Sequence, residues 1–93
     1  MIPNSQIRVE MFSRPDCHLC EVTAALIQKL AHRYPLRLTI TDVEQEPQLE
    51  ARYGQRLPVI CIHGGDRRSG RTVLDYPIEE STLERELGRL WNP

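Results

Sequence analysis

At 93 residues, 40% of them hydrophobic and 27% charged, the chain has the make-up of one small globular domain that commits most of its apolar residues to a single core. Twelve basic against thirteen acidic side chains give a formal net charge of -1, which excludes the cationic footprint of a nucleic-acid or anionic-membrane binder. No stretch approaches the roughly 18 apolar residues of a membrane span, and Met1-Ile2-Pro3-Asn4-Ser5-Gln6 lacks the basic and apolar runs of a signal peptide.

Ile7, Val9 and Met11 alternate with Arg8, Glu10 and Phe12, a strand pattern broken by Ser13-Arg14-Pro15-Asp16. From Cys17 onward, Leu19, Val22, Leu26 and Leu30 recur at steps of three and four and predict one face of a helix. His32 and Arg33 suit its last turn, and Pro35 ends it. Leu36, Leu38 and Ile40 alternate with Arg37, Thr39 and Thr41 in a second strand. After a connection over Asp42 to Glu46, Pro47 opens a short helix and Gly54 closes it, with Leu49 and Tyr53 facing inward. Val59-Ile60-Cys61-Ile62 is continuously apolar, as in a strand covered on both sides. His63-Gly64-Gly65-Asp66 turns the chain. Arg67, Arg68 and Arg71 belong to an exposed hairpin tip, and Thr72-Val73-Leu74 is a final strand. Ser81-Thr82-Leu83-Glu84 has capping-box spacing, and Leu83, Leu87, Leu90 and Trp91 form the inward stripe of a last helix. A helical crossover makes the first two strands parallel and a short turn makes the last two antiparallel. The expected domain, spanning 1-93, is a mixed four-stranded sheet with helices on both faces.

The chemistry concentrates at Cys17-His18-Leu19-Cys20. Two thiols one helical turn apart can close into a disulfide. At a helix N-terminus, unpaired N–H groups and the dipole favour the thiolate, the species that attacks disulfides. Cys17 then acts as nucleophile, and Cys20, one turn deeper, resolves the mixed disulfide. The same spacing is also half a zinc site. The remaining ligand candidates are His18, His32, Cys61 and His63. His32 lies about 20 Å along the helix axis, and Cys61 about 10 Å beyond Pro58 along its strand. That spread argues against a closed site within one chain, and no resident metal is expected. A site shared between two chains stays open. Cys61 reads as a small apolar core residue. An odd cysteine count fits a reducing compartment, and a cytoplasmic location is expected.

Three segments carry a resemblance. Phe12-Ser13-Arg14-Pro15-Asp16-Cys17 is similar to the aromatic-Ser-Lys-x-x-Cys approach to the dithiol of glutaredoxins. Cys17 to Cys20 is the dithiol itself. Leu57-Pro58-Val59, at the head of the apolar strand, is similar to the cis-proline segment of the same group. From Ile7 to Leu90 the chain resembles glutaredoxins and the wider thioredoxin-like family, most of all small glutaredoxin-like proteins with a Cys-x-Leu-Cys motif. The resemblance implies an α/β, thioredoxin-like fold of the glutaredoxin type and a thiol–disulfide oxidoreductase acting through Cys17 and Cys20. It further implies a cis Leu57-Pro58 bond beside the dithiol and a substrate groove shaped by Arg14, Leu57 and Pro58. His18 is placed to tune Cys17. The expected partner is a disulfide-bearing protein or small thiol. No cofactor is required, with glutathione as an optional co-substrate, and the chain is expected to be a monomer. Two rival readings remain: a non-catalytic binding module that keeps the fold, and a metal or iron–sulfur carrier that uses the dithiol between two chains.

Two departures bear on this. Glutaredoxins carry Gly-Gly-x-Asp after the fourth strand, whereas this chain has Tyr76-Pro77-Ile78-Glu79-Glu80, and its own Gly64-Gly65-Asp66 falls before that strand. Thioredoxins carry a buried aspartate in the first strand, near the place of Met11.

Overall fold

The computed structural model describes residues 7–65 and 70–91. Strand β1 spans Ile7–Ser13, helix α1 His18–Leu30 and strand β2 Leu36–Asp42. After a 3-10 turn at Val43–Gln45 come helix α2, Pro47–Tyr53, strand β3, Val59–His63, strand β4, Arg71–Asp75, and helix α3, Glu80–Leu90. The sheet order is β2-β1-β3-β4. β1 runs parallel to β2 and antiparallel to β3, and β3 runs antiparallel to β4. This is the mixed four-stranded sheet expected from the sequence. Asp66, Arg67, Arg68 and Ser69, read as part of a turn and hairpin tip, lie outside the described residues. Among the described residues no helix is long and apolar enough to cross a membrane.

Strand alternation divides the core into two layers. Ile7, Val9 and Met11 of β1 join Ile60 and Ile62 of β3 in one cluster with Cys20, Ile27 and Leu30 of α1 and Leu83, Leu87 and Leu90 of α3. On the opposite side, Phe12, Val59 and Cys61 pack with Val43, Leu49 and Tyr53. The continuous apolar run of β3 is thus explained: Ile60 and Ile62 fill one layer, Val59 and Cys61 the other. The Phe12 and Tyr53 rings stack with centroids 4.3 Å apart and hold α2 against the sheet. α2 is only seven residues long and lies over the Phe12 end of the sheet.

Four local expectations are corrected. The buried stripe of α1 is Cys20, Thr23, Ile27 and Leu30, one residue out of phase with the predicted stripe at its start. Leu19 is 44% and Val22 53% exposed. Burial of Cys20 sets this rotation, since the stripe that contains it excludes Leu19. The helix also stops at Leu30, so His32 and Arg33 fall in the turn that follows. α3 has Glu79 as its N-cap, without a side-chain capping bond. It begins before Ser81 because Ile78 already packs against the core and carries the chain into the first turn. Trp91 lies just beyond α3 and stays substantially exposed, its ring edge-on to Tyr34 at 5.9 Å.

Candidate active site

The parallel β1–β2 crossover and the antiparallel β1–β3 pairing bring three chain segments to one end of the sheet. β1 ends at Ser13, and the chain reaches α1 through Arg14-Pro15-Asp16. Asp16 has φ 61°, a left-handed conformation that Asp tolerates better than most non-glycine residues. This turns the backbone so that Cys17 becomes the N-cap of α1. The Cys17 carbonyl accepts from the Glu21 N–H at 3.1 Å, and its sulfur accepts from the Cys20 N–H at 3.2 Å. The two sulfurs are joined as a disulfide, with Cα atoms 5.2 Å apart.

The pair is asymmetric. Cys17 is half-buried at the helix end, while Cys20 is only 1% exposed and sits among Met11, Ile27 and Ile60 in the main core cluster. Met11 is itself buried in that cluster, so the layer around Cys20 is apolar.

Phe12 pairs with Val59, which sets Leu57 and Pro58 beside the end of β1. Pro58 is buried, and Leu57 is half-buried against both core clusters. The Leu57-Pro58 peptide bond is cis, as is Tyr76-Pro77. His18 opens α1 and is exposed.

The Arg14 guanidinium has partners within the chain. Its Nη2 donates to Glu50 Oε2 at 2.8 Å and to the Gly54 carbonyl at 2.9 Å, and Glu44 lies 4.0 Å away. Arg14 therefore ties the loop before Cys17 to α2. A ligand carboxylate reaching Arg14 would compete with Glu50. Gly54 is required by this packing, because a Cβ there would lie 2.6 Å from the Glu50 carbonyl oxygen. These contacts span 36 and 40 residues, and no local sequence signal announces them.

Cys61 faces the α2 side of the sheet, opposite Cys20. Burial pushes its thiol upward, with Glu10 adding to the shift and Arg71 opposing it. After full reduction, alkylation near neutral pH followed by peptide mapping should label Cys17 first and Cys61 last. Cys61 should react faster as pH rises beyond the ordinary thiol range, because burial disfavours its thiolate. Equal labelling of Cys17 and Cys20 would remove the basis for naming a nucleophile. Among the described residues no three His, Cys, Asp or Glu side chains cluster as metal ligands.

The family model described as "Glutaredoxin-like domain (DUF836)" matches residues 8–88. No curated protein matches the chain. Among solved structures, a structural-genomics target protein from X. campestris is 25% identical, with TM-score 0.66, over 86% of this chain and 95% of that one. Chloroplastic thioredoxin z is 18% identical with TM-score 0.76, over 92% of this chain and 79% of that one. A mutant thioredoxin from Halobacterium salinarum NRC-1 is 15% identical with TM-score 0.72, over 98% and 80%. The fold is thioredoxin-like, and its Cys17–Cys20 pair at disulfide distance fits a redox role.

Proposed function

The chain belongs to the glutaredoxin-like (DUF836) family, and from that membership we propose that it is a thiol–disulfide oxidoreductase with Cys17 as nucleophile and Cys20 as resolving thiol. The observation that carries the reading is the asymmetric pair, with a half-buried sulfur at the N-cap of α1 and a buried sulfur one turn inside it. In the reduced protein the helix N-terminus stabilises the Cys17 thiolate. That thiolate attacks one sulfur of a substrate disulfide, forms a Cys17–substrate bond and expels the other sulfur as a thiolate. Cys20, losing its proton to solvent, then attacks Cys17 Sγ and expels the second substrate thiolate. Two electrons pass to the substrate, and the protein ends as the Cys17–Cys20 disulfide. A dithiol donor reverses these steps and restores the thiols.

The substrate surface combines the Leu57-Pro58 segment with Leu19 and Val22, which α1 leaves exposed in its first two turns. An apolar surface beside the reactive sulfur suits a protein disulfide. We assign the chain to a reducing, cytoplasmic setting on the same chemistry. Trapping tests the reading. Cys20→Ser should accumulate a mixed disulfide with a disulfide-bearing protein, visible by intact mass.

Glutathione should be a poor co-substrate. Arg14 is engaged by Glu50 and the Gly54 carbonyl. Glu79 stands where glutaredoxins offer glycine backbone, while Glu80 is turned toward Lys29 at 3.1 Å. Losing one anchor of about 1.4 kcal/mol weakens binding about tenfold. Titration of the oxidised protein should show weak, salt-sensitive binding. Micromolar affinity, or brisk turnover of a glutathione mixed disulfide, would show that another part of the surface holds this tripeptide.

A further inference from the structure

The open end of the sheet's second face, away from the dithiol, carries a row of cations. The register places Arg37 of β2 beside Arg8 of β1, Arg8 beside His63 of β3, and His63 beside Arg71 of β4. α2 covers the Phe12 end, while Arg8, Arg37 and Arg71 at this end are exposed among the described residues. Arg8 precedes the end of β1 by five residues, about 17 Å along the strand. Like charges directly opposed on neighbouring strands are unfavourable. Elsewhere five cations are paired, Arg14 with Glu50, Lys29 with Glu80, Arg33 with Glu84, Arg56 with Asp75 and Arg89 with Glu86, while Arg52 and Arg85 have no ion-pair partner among the described residues. Arg8, Arg37 and Arg71 have no ion-pair partner among the described residues.

A cavity of about 310 Å³ opens here, lined by Arg8, Arg37, His63, Glu10 and Thr39. Burial, then Arg8 and Arg71, push His63 down from the ordinary imidazole range, with Glu10 opposing. The imidazole thus senses the positive field of the row. Glu10 Oε2 accepts from the Thr41 hydroxyl at 3.0 Å and gives the cavity one acceptor edge.

We propose that this cavity binds a small phosphomonoester, its phosphate held by Arg8, Arg37 and His63 and its hydroxyls directed to Glu10 and Thr39. Guanidinium forks match phosphate oxygens bidentately. Strands about 4.8 Å apart set two forks and an imidazole around one dianion. A single carboxylate would leave most of these donors unused. The volume lies at the small end of ligand pockets and suits a small molecule better than a peptide. The site shares no residue with the proposed redox centre and does not depend on that reading.

His63 is the reporter, and glycerol 3-phosphate is the probe. NMR titration of the histidine rings should show a saturable shift of His63, with its pKa raised because a neighbouring anion favours imidazolium. His18 and His32 should not respond. Arg8→Gln and Arg37→Gln should each weaken binding about tenfold or more, while leaving alkylation of reduced Cys17 unchanged as a check on folding. Inorganic phosphate should bind more weakly than glycerol 3-phosphate. A response no larger than that to sodium chloride at matched ionic strength would overturn the site. So would full affinity in both arginine variants, or tighter competition by an acidic peptide. Equal affinity for inorganic phosphate would overturn the roles given to Glu10 and Thr39.

Discussion

Cys17→Ser should abolish disulfide reduction, and Cys20→Ser should leave the first half of the reaction intact. A serine hydroxyl is not ionised at neutral pH even at a helix N-terminus, so the Cys17→Ser variant has no competent nucleophile at the start of α1. In Cys20→Ser the Cys17 thiolate still attacks, but nothing within the chain can displace the bound substrate. The expected record is a mixed disulfide on Cys17 that accumulates in one stoichiometric step and is released by added dithiol. Cys61→Ser should keep wild-type turnover, because Cys61 packs on the opposite side of the sheet. Two outcomes would count against the assignment: trapping that persists in Cys17→Ser, or turnover that survives in it. Stopped-time alkylation with intact-mass detection reads all three variants.

Leu87→Ala should cost about 2–5 kcal/mol of stability. Leu87 is fully buried where α3 meets α1 and the sheet. Removing its branched end leaves a cavity in the main cluster. Domains of this size are commonly stable by only about 5–15 kcal/mol, so the melting temperature should fall by roughly 10 °C or more. Leu19→Ala should by contrast stay within about 0.5 kcal/mol of the parent, since Leu19 is 44% exposed. Urea unfolding of the two variants, with unchanged slopes, separates them. A Leu19→Ala loss comparable to Leu87→Ala would mean that α1 turns its Leu19–Val22 face to the core.

That comparison marks where the sequence stops being legible. Element order and strand directions are readable because alternation in Ile7–Phe12 and Leu36–Thr41 has a fixed period and Val59–Ile62 lacks one. The phase of α1 is not. The stripe Leu19, Val22, Leu26, Leu30 and the stripe Cys20, Thr23, Ile27, Leu30 share an end. Hydrophobicity favours the first, while the core selects the second because it buries Cys20. The start of α3 departs from its sequence signal for a related reason: Ser81-Thr82-Leu83-Glu84 has the spacing of a capping box, yet packing of Ile78 brings the chain into the helix earlier.

At the dithiol, the residue types and spacing are visible in Cys17-His18-Leu19-Cys20, and so is the asymmetry between its sulfurs. The partners of Arg14 are not, since Glu50 and Gly54 meet it only after α2 has docked through Tyr53 on Phe12. The cationic row is still less local. Arg8, Arg37, His63 and Arg71 are scattered over four strands, and only their mutual register aligns them.

The most direct test of a Cys17–Cys20 redox centre is equilibration of the wild-type protein across a series of dithiol/disulfide buffers, followed by acid quenching, alkylation and peptide mapping. The account predicts one reversible two-electron transition in which Cys17 and Cys20 gain and lose label together while Cys61 stays a thiol throughout. A Cys17–Cys20 pair that never closes under oxidising buffers, or that oxidises only by linking to Cys61 or to a second chain, would contradict it.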